Sequence, residues 1–197
     1  MENMTFDTQF ITLDTLKDKG FSYYKINKLV NEWNLKKINR NTYENVNYKG
    51  DYNDFYIVNA YIPDGVICEF SAADHYGLIN YVPPYIHVAI DRDKKISTLP
   101  EWPSVSLRYY SKKRINFGVV EINEDGNKYK IFDVEKTVID MLSFRNKLPI
   151  DEVMFALKNY LNRKDRDLNK LYRYSKEFRC EKILRTYMEA LLWMFNQ

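Results

Sequence analysis

The apolar positions change their period along the chain, and each change marks a new kind of element. From Ser22 onward, Ile26, Leu29, Val30 and Trp33 fall at i, i+3, i+4 and i+7, the spacing of one buried helical stripe. Ser22 stands before that stripe as an N-cap, its hydroxyl suited to accept from a first-turn amide. The helical repeat sets Tyr24, Asn27, Lys28 and Asn31 on the opposite face, with Lys25 alongside. Upstream, Leu13 and Leu16 lie between a Thr12 cap and a Gly20 stop, which predicts a supporting helix over Thr12–Lys19. Downstream, Leu35–Ile38 and Thr42–Tyr43 flank Asn39-Arg40-Asn41 as two short β-like runs around a turn. Two helices and a small basic hairpin make the outline of a winged helix-turn-helix. Met1–Phe10 carries no periodic pattern.

Tyr48-Lys49-Gly50-Asp51 reads as a boundary. Residues 1–49 are therefore expected to form a winged helix-turn-helix DNA-binding domain, and residues 50–197 an α+β domain. In the latter, Asp51–Ile62 reads as an aromatic-rich helix closed by Pro63-Asp64-Gly65. Val66–Phe70 reads as a short strand, and Ser71–Leu78 as a short helix capped by Ser71 and ended by Gly77. Strands are expected at Tyr85–Ile90, Val105–Tyr110, Ile115–Ile122 and Lys128–Phe132, the last two joined through the hairpin signal Asp125-Gly126. From Asp133 the period is helical. Stripes run through Val134, Val138, Met141 and Leu142, then Ile150, Val153, Met154, Leu157, Tyr160 and Leu161, and last Leu184, Tyr187, Met188, Leu191, Leu192 and Phe195. A further helix is expected over Asp167–Phe178. The fold class is α+β: the winged helix-turn-helix, a small mixed β-sheet, and a C-terminal helical bundle.

Charge sharpens the reading of the N-terminal stretch. Between Phe21 and Gly50 six bases face two acids, a local net of +4 against +3 for the whole chain. The positive excess sits where a phosphate backbone needs it. The plainer alternative, a solvated helix face and an ordinary surface hairpin, stays open on these residues. A hydrophobic content of 45% supports a packed core and excludes a disordered chain. Cys68 and Cys180 stand far apart with no CxxC, as buried thiols of a reducing cytosol do. With no leader and no membrane-length apolar run, a cytoplasmic protein is expected.

Chemistry-bearing motifs are sparse. No GxGxxG or Walker A loop occurs, and His75 and His87 lack partners at metal-ligand spacing. Asp133, Glu135, Lys136 and Asp140 cluster at a strand-to-helix junction, where a metal-dependent nuclease would gather carboxylates. Acids in a first helical turn also simply complement the macrodipole. No catalytic residue, metal or cofactor is expected. Arg163, Lys164, Arg166, Lys170, Arg173, Lys176 and Arg179 form a basic run diluted by Asp165, Asp167 and Glu177. It reads as a solvated face or as a second nucleic-acid or partner surface.

Three stretches together resemble the AbiEi-type antitoxins and transcriptional regulators of bacterial type IV toxin–antitoxin (abortive infection, phage-defence) systems. Asn39-Arg40-Asn41-Thr42-Tyr43 is similar to the family's basic wing, with Asn41 in place of its usual glycine. Pro63–Leu78 is similar to the family's S-A-L-x-x-H-G-L segment, and Val134–Leu142 to its E-[KR]-T-x-x-D helix. The resemblance implies an autorepressor that binds inverted repeats in its own promoter. It also implies a C-terminal domain that counters a nucleotidyltransferase-like toxin without a stable complex. On this chain Ser22, Tyr23, Tyr24, Lys25, Asn27, Lys28 and Asn31 would meet the major groove, Asn27 and Asn31 as base readers. Lys36, Lys37, Asn39 and Arg40 would carry the wing's contacts. Ser71, His75, Gly77, Thr137 and Asp140 would be structural. The alternative is a winged-helix regulator or interaction module without a toxin partner.

Overall fold

Thr12 accepts a hydrogen bond from the Thr15 amide at 3.1 Å, and Ser22 one from the Lys25 amide at 3.3 Å. The helices they cap are α1, Leu13–Asp18, and α2, Tyr23–Asn31. They belong to a computed structural model that describes residues 6–96 and 98–195. Gly20, at φ +82°, supplies the left-handed residue that lets Phe21 N–H return to the Leu16 carbonyl and close α1. Three short strands, β1 (Phe10–Thr12), β2 (Leu35–Lys37) and β3 (Thr42–Asn45), pair antiparallel in the order β1-β3-β2. Strand β1 went unread because three residues are too few to show a period. Ile11, Leu16, Phe21, Ile26, Leu35 and Tyr43 form the core between this sheet and the two helices.

Trp33 corrects the expected stripe. Helix α2 ends at Asn31, and Trp33 takes φ +58°. Its N–H returns to the Val30 carbonyl while that of Asn34 reaches Leu29, a Schellman closure with tryptophan where glycine is usual. The left-handed turn carries the indole off the buried stripe, leaving it 77% exposed. Trp33→Gly should therefore raise stability by about 0.5–1 kcal/mol by removing backbone strain. Urea unfolding measures this; a loss larger than that gain would show that the ring packs.

The remaining elements build a second sheet and a helical layer. Asn53 caps α3 (Asp54–Tyr61). After Pro63-Asp64-Gly65 come β4 (Val66–Ile67), α4 (Glu69–His75), β5 (Ile86–Asp91), β6 (Val105–Tyr110), α5 (Lys112–Ile115), β7 (Val119–Glu124) and β8 (Asn127–Phe132). The order β6-β5-β4-β8-β7 is mixed: β5–β6 and β4–β8 are parallel, β4–β5 and β7–β8 antiparallel. Asp125 and Gly126, at φ +50° and +81°, make the predicted β7–β8 turn. Helices α6 (Val134–Ser143), α7 (Ile150–Asn162), α8 (Leu168–Glu177) and α9 (Glu181–Phe195) follow. Helix α6 packs on α4, α7 and α8, around a core that includes Val138, Leu142, Leu157, Leu171 and Leu184. The side chains of Leu192 and Phe195 and the stretch Met1–Thr5 lie outside the described residues.

Three expectations fail locally. The strand from Val66 stops at Ile67, because Cys68 occupies the N-cap position and α4 starts at Glu69. Ser71, expected as a cap, sits inside α4; its hydroxyl donates to the Tyr85 carbonyl and accepts from the His87 amide. The strand expected from Ile115 begins at Val119, since Ser111 caps α5 and Gly118 turns the chain at φ +69°.

Polar bonds join the two sheets. The Gln9 backbone N–H donates to Asn127 Oδ1 at 2.8 Å, and Asn127 Nδ2 donates to the Tyr48 hydroxyl at 3.1 Å. No helix among the described residues is long and apolar enough to cross a membrane.

Candidate nucleic-acid interface

Burying Ile26 against the sheet, with Leu29 and Val30 packed beside it, turns the rest of α2 outward. Tyr23, Tyr24, Lys25, Asn27, Lys28 and Asn31 are all exposed, with Tyr24 79% accessible. No acid lies in the first turn of α2, so the positive end of its dipole is uncompensated. Lys17 from α1 reaches over the Tyr23 ring at 4.8 Å and adds a cation there. Lys28 lies 3.8 Å from Glu32 with both groups solvated, a contact of little energetic weight.

The hairpin places Lys36, Lys37 and Arg40 at the surface. Lys36 lies 3.9 Å from Glu44 on the neighbouring strand. Asn39 has a different environment. It is half-buried; its Nδ2 donates to the Ala60 carbonyl at the end of α3 at 2.8 Å, and its Oδ1 accepts from the Asn41 backbone N–H. Asn39 thus shapes the turn and ties it to the larger unit, a contact 21 residues away in sequence.

The acidic cluster is enclosed by cations and hydroxyls. Asp133 Oδ1 caps α6 through the Lys136 amide, and its Oδ2 accepts from the Tyr174 hydroxyl at 2.9 Å. Glu135 accepts from Tyr160 and pairs with Lys170 at 2.9 Å. Asp140, fully buried, takes Arg114 Nε at 3.0 Å on one oxygen and the Lys136 ammonium on the other. Lys136 is itself fully buried among Phe132, Tyr110 and Phe178, and burial pulls its ammonium below the ordinary lysine value against the opposing Asp140 charge. No group of three or more metal-ligating side chains occurs among the described residues. Sequence reading missed Arg114 here, and likewise Arg108, which binds the buried Glu69 at 2.7 Å from 39 residues away.

The late basic run is dispersed. Lys170 is drawn inward to Asp133 and Glu135. Arg163 is held by Asp165 and the Tyr76 carbonyl, and Arg173 lies 5.6 Å over Tyr174. Lys164, Arg166, Arg173, Lys176 and Arg179 remain exposed.

His87 is a buried histidine with a consequence for stability. Burial, with Arg108 nearby, lowers its imidazole from 6.5 to about 4. The unfolded ring takes a proton first as pH falls, so the native state loses stability between about pH 6.5 and 4 and no further below. His87→Leu should reduce that acid-side loss by about 2–3 kcal/mol, as read from urea midpoints at pH 7 and 4. Parallel profiles for the two proteins would contradict it.

No protein-family model and no curated protein matches this chain.

Proposed function

We propose that residues 1–49 are a winged helix-turn-helix module and that the protein binds double-stranded DNA of its own promoter as a repressor. The observation that carries this reading is the outward face of α2. Asn27, Lys28 and Asn31 stand exposed behind an acid-free first turn, and a hairpin bearing Lys36, Lys37 and Arg40 follows directly. An amide can bond adenine bidentately, lysine can meet guanine or phosphate, and the hairpin cations suit backbone contacts. The four-residue turn from Lys19 to Ser22 between α1 and α2, with its left-handed Gly20, fits a helix-turn-helix pair. Asn39 belongs to the wing's support in this reading, because its amide holds Ala60.

The resemblance to AbiEi-type regulators extends the proposal to a cytoplasmic antitoxin, with residues 50–197 opposing a nucleotidyltransferase-like toxin. A reporter fused to the upstream sequence tests the repressor half. Co-expression of the protein should lower reporter output, and an unchanged output argues against autorepression.

A further inference from the structure

Most asparagines near the hairpin have their side chains engaged inside the protein. Asn39 holds the Ala60 carbonyl, Asn45 that of Phe6, and Asn47 donates to Asn34. Asn27 and Asn31 differ. Both are exposed on α2, and their side-chain amides have no hydrogen-bond partner among the described residues. Each presents a donor and an acceptor side by side, the pattern that pairs with the N6 and N7 edge of adenine.

Tyr24 extends this pair into a row. By the helical repeat, Tyr24, Asn27 and Asn31 fall within about 60° of one another around α2, at successive rises of about 4.5 and 6 Å. Side chains three or four residues apart on a helix in the major groove meet successive bases. The exposed Tyr24 ring adds an apolar surface, and the C5-methyl of thymine is the apolar group this groove displays.

Groups that favour G·C pairs are missing from the row. Guanine is read by arginine or lysine and cytosine by a carboxylate. Helix α2 carries no arginine and no acid. Its two lysines, Lys25 and Lys28, fall on the flank of Tyr24 opposite to Asn27, as an edge of cations suited to phosphates. The Ser22 hydroxyl is occupied in capping the Lys25 amide.

We propose that the DNA facing α2 has a core of three successive A·T pairs. Asn31 bonds an adenine in the first, Asn27 an adenine in the second, and Tyr24 packs on a thymine methyl in the third. This rests on the DNA-binding reading of α2 given above.

The test titrates full-length protein against the duplex of its own upstream sequence, with each adenine in turn replaced by 7-deazaadenine. That analogue keeps Watson–Crick pairing and lacks the N7 acceptor. Two adenines in adjacent base pairs should be sensitive, each replacement weakening binding about tenfold. Asn31→Ala should remove the response at one of them and Asn27→Ala the response at the other. A variant that is weakened only structurally keeps both responses. Deoxyuridine in place of thymine in the next pair beyond the Asn27 adenine should weaken binding by a smaller factor. A wild type with no preference for its promoter over a scrambled duplex overturns the DNA reading, and this proposal with it. A wild type that prefers its promoter yet tolerates 7-deazaadenine everywhere overturns the A·T core alone. So do sensitive adenines whose responses survive in both variants.

Discussion

Asp140→Ala is expected to remove about 3–5 kcal/mol of folding stability, a large share of what a domain of this kind possesses. The carboxylate is fully buried and serves two cations, Arg114 and Lys136. Truncation leaves the Lys136 ammonium without a counterion in an aromatic enclosure, with Phe132 at 4.1 Å. Removing the cation instead should be milder. Lys136→Met fills the same space with an apolar chain and keeps the Arg114–Asp140 pair, so its cost should be about 2 kcal/mol or less. Urea unfolding of both variants checks the order. Equal losses would mean that the Lys136 charge, and not the shared carboxylate, holds α6 against the sheet. Magnesium should leave the wild-type midpoint unchanged, since the three carboxylates of this region are engaged by protein groups.

The second large effect concerns DNA. Lys28→Ala, Lys37→Ala and Arg40→Ala combined should weaken promoter binding on the order of 100-fold near physiological salt. The same variant should make the log–log salt dependence shallower by about three. All three residues are exposed, so the unfolding free energy should stay within about 0.5 kcal/mol of wild type. Asn27→Ala and Asn31→Ala should behave differently. Each should cost about 1–3 kcal/mol on the preferred sequence, with little change on a scrambled duplex or in salt slope. Fluorescence anisotropy on both duplexes separates the two classes. A uniform loss for the asparagine variants would make them backbone contacts.

What the sequence disclosed was mostly local. Thr12 and Ser22 cap as their spacing implies, and Asp125-Gly126 makes its hairpin, because these signals act over two or three residues. The polar face of α2 was legible for the same reason, being fixed by the helical repeat once Ile26 is buried. Long-range pairing was not. Arg114 reaches Asp140 over 26 residues and Asn39 reaches Ala60 over 21, and no periodicity encodes either contact. Trp33 misled because hydrophobicity alone put it on the stripe, while a left-handed closure turned it to solvent. Lys136 is legible in the sequence only as part of a charged cluster at a strand-to-helix junction; its complete burial against Asp140 is a long-range packing outcome that the local charge pattern does not encode.

The central claim, that the exposed face of α2 and the adjoining hairpin read promoter DNA, is tested most directly by titrating wild-type protein against its own upstream sequence. A scrambled duplex is the control, and each titration is run at two salt concentrations. The account predicts tighter binding to the promoter, weakening as salt rises. Equal affinity for both duplexes, or no binding at the lower salt, would contradict it.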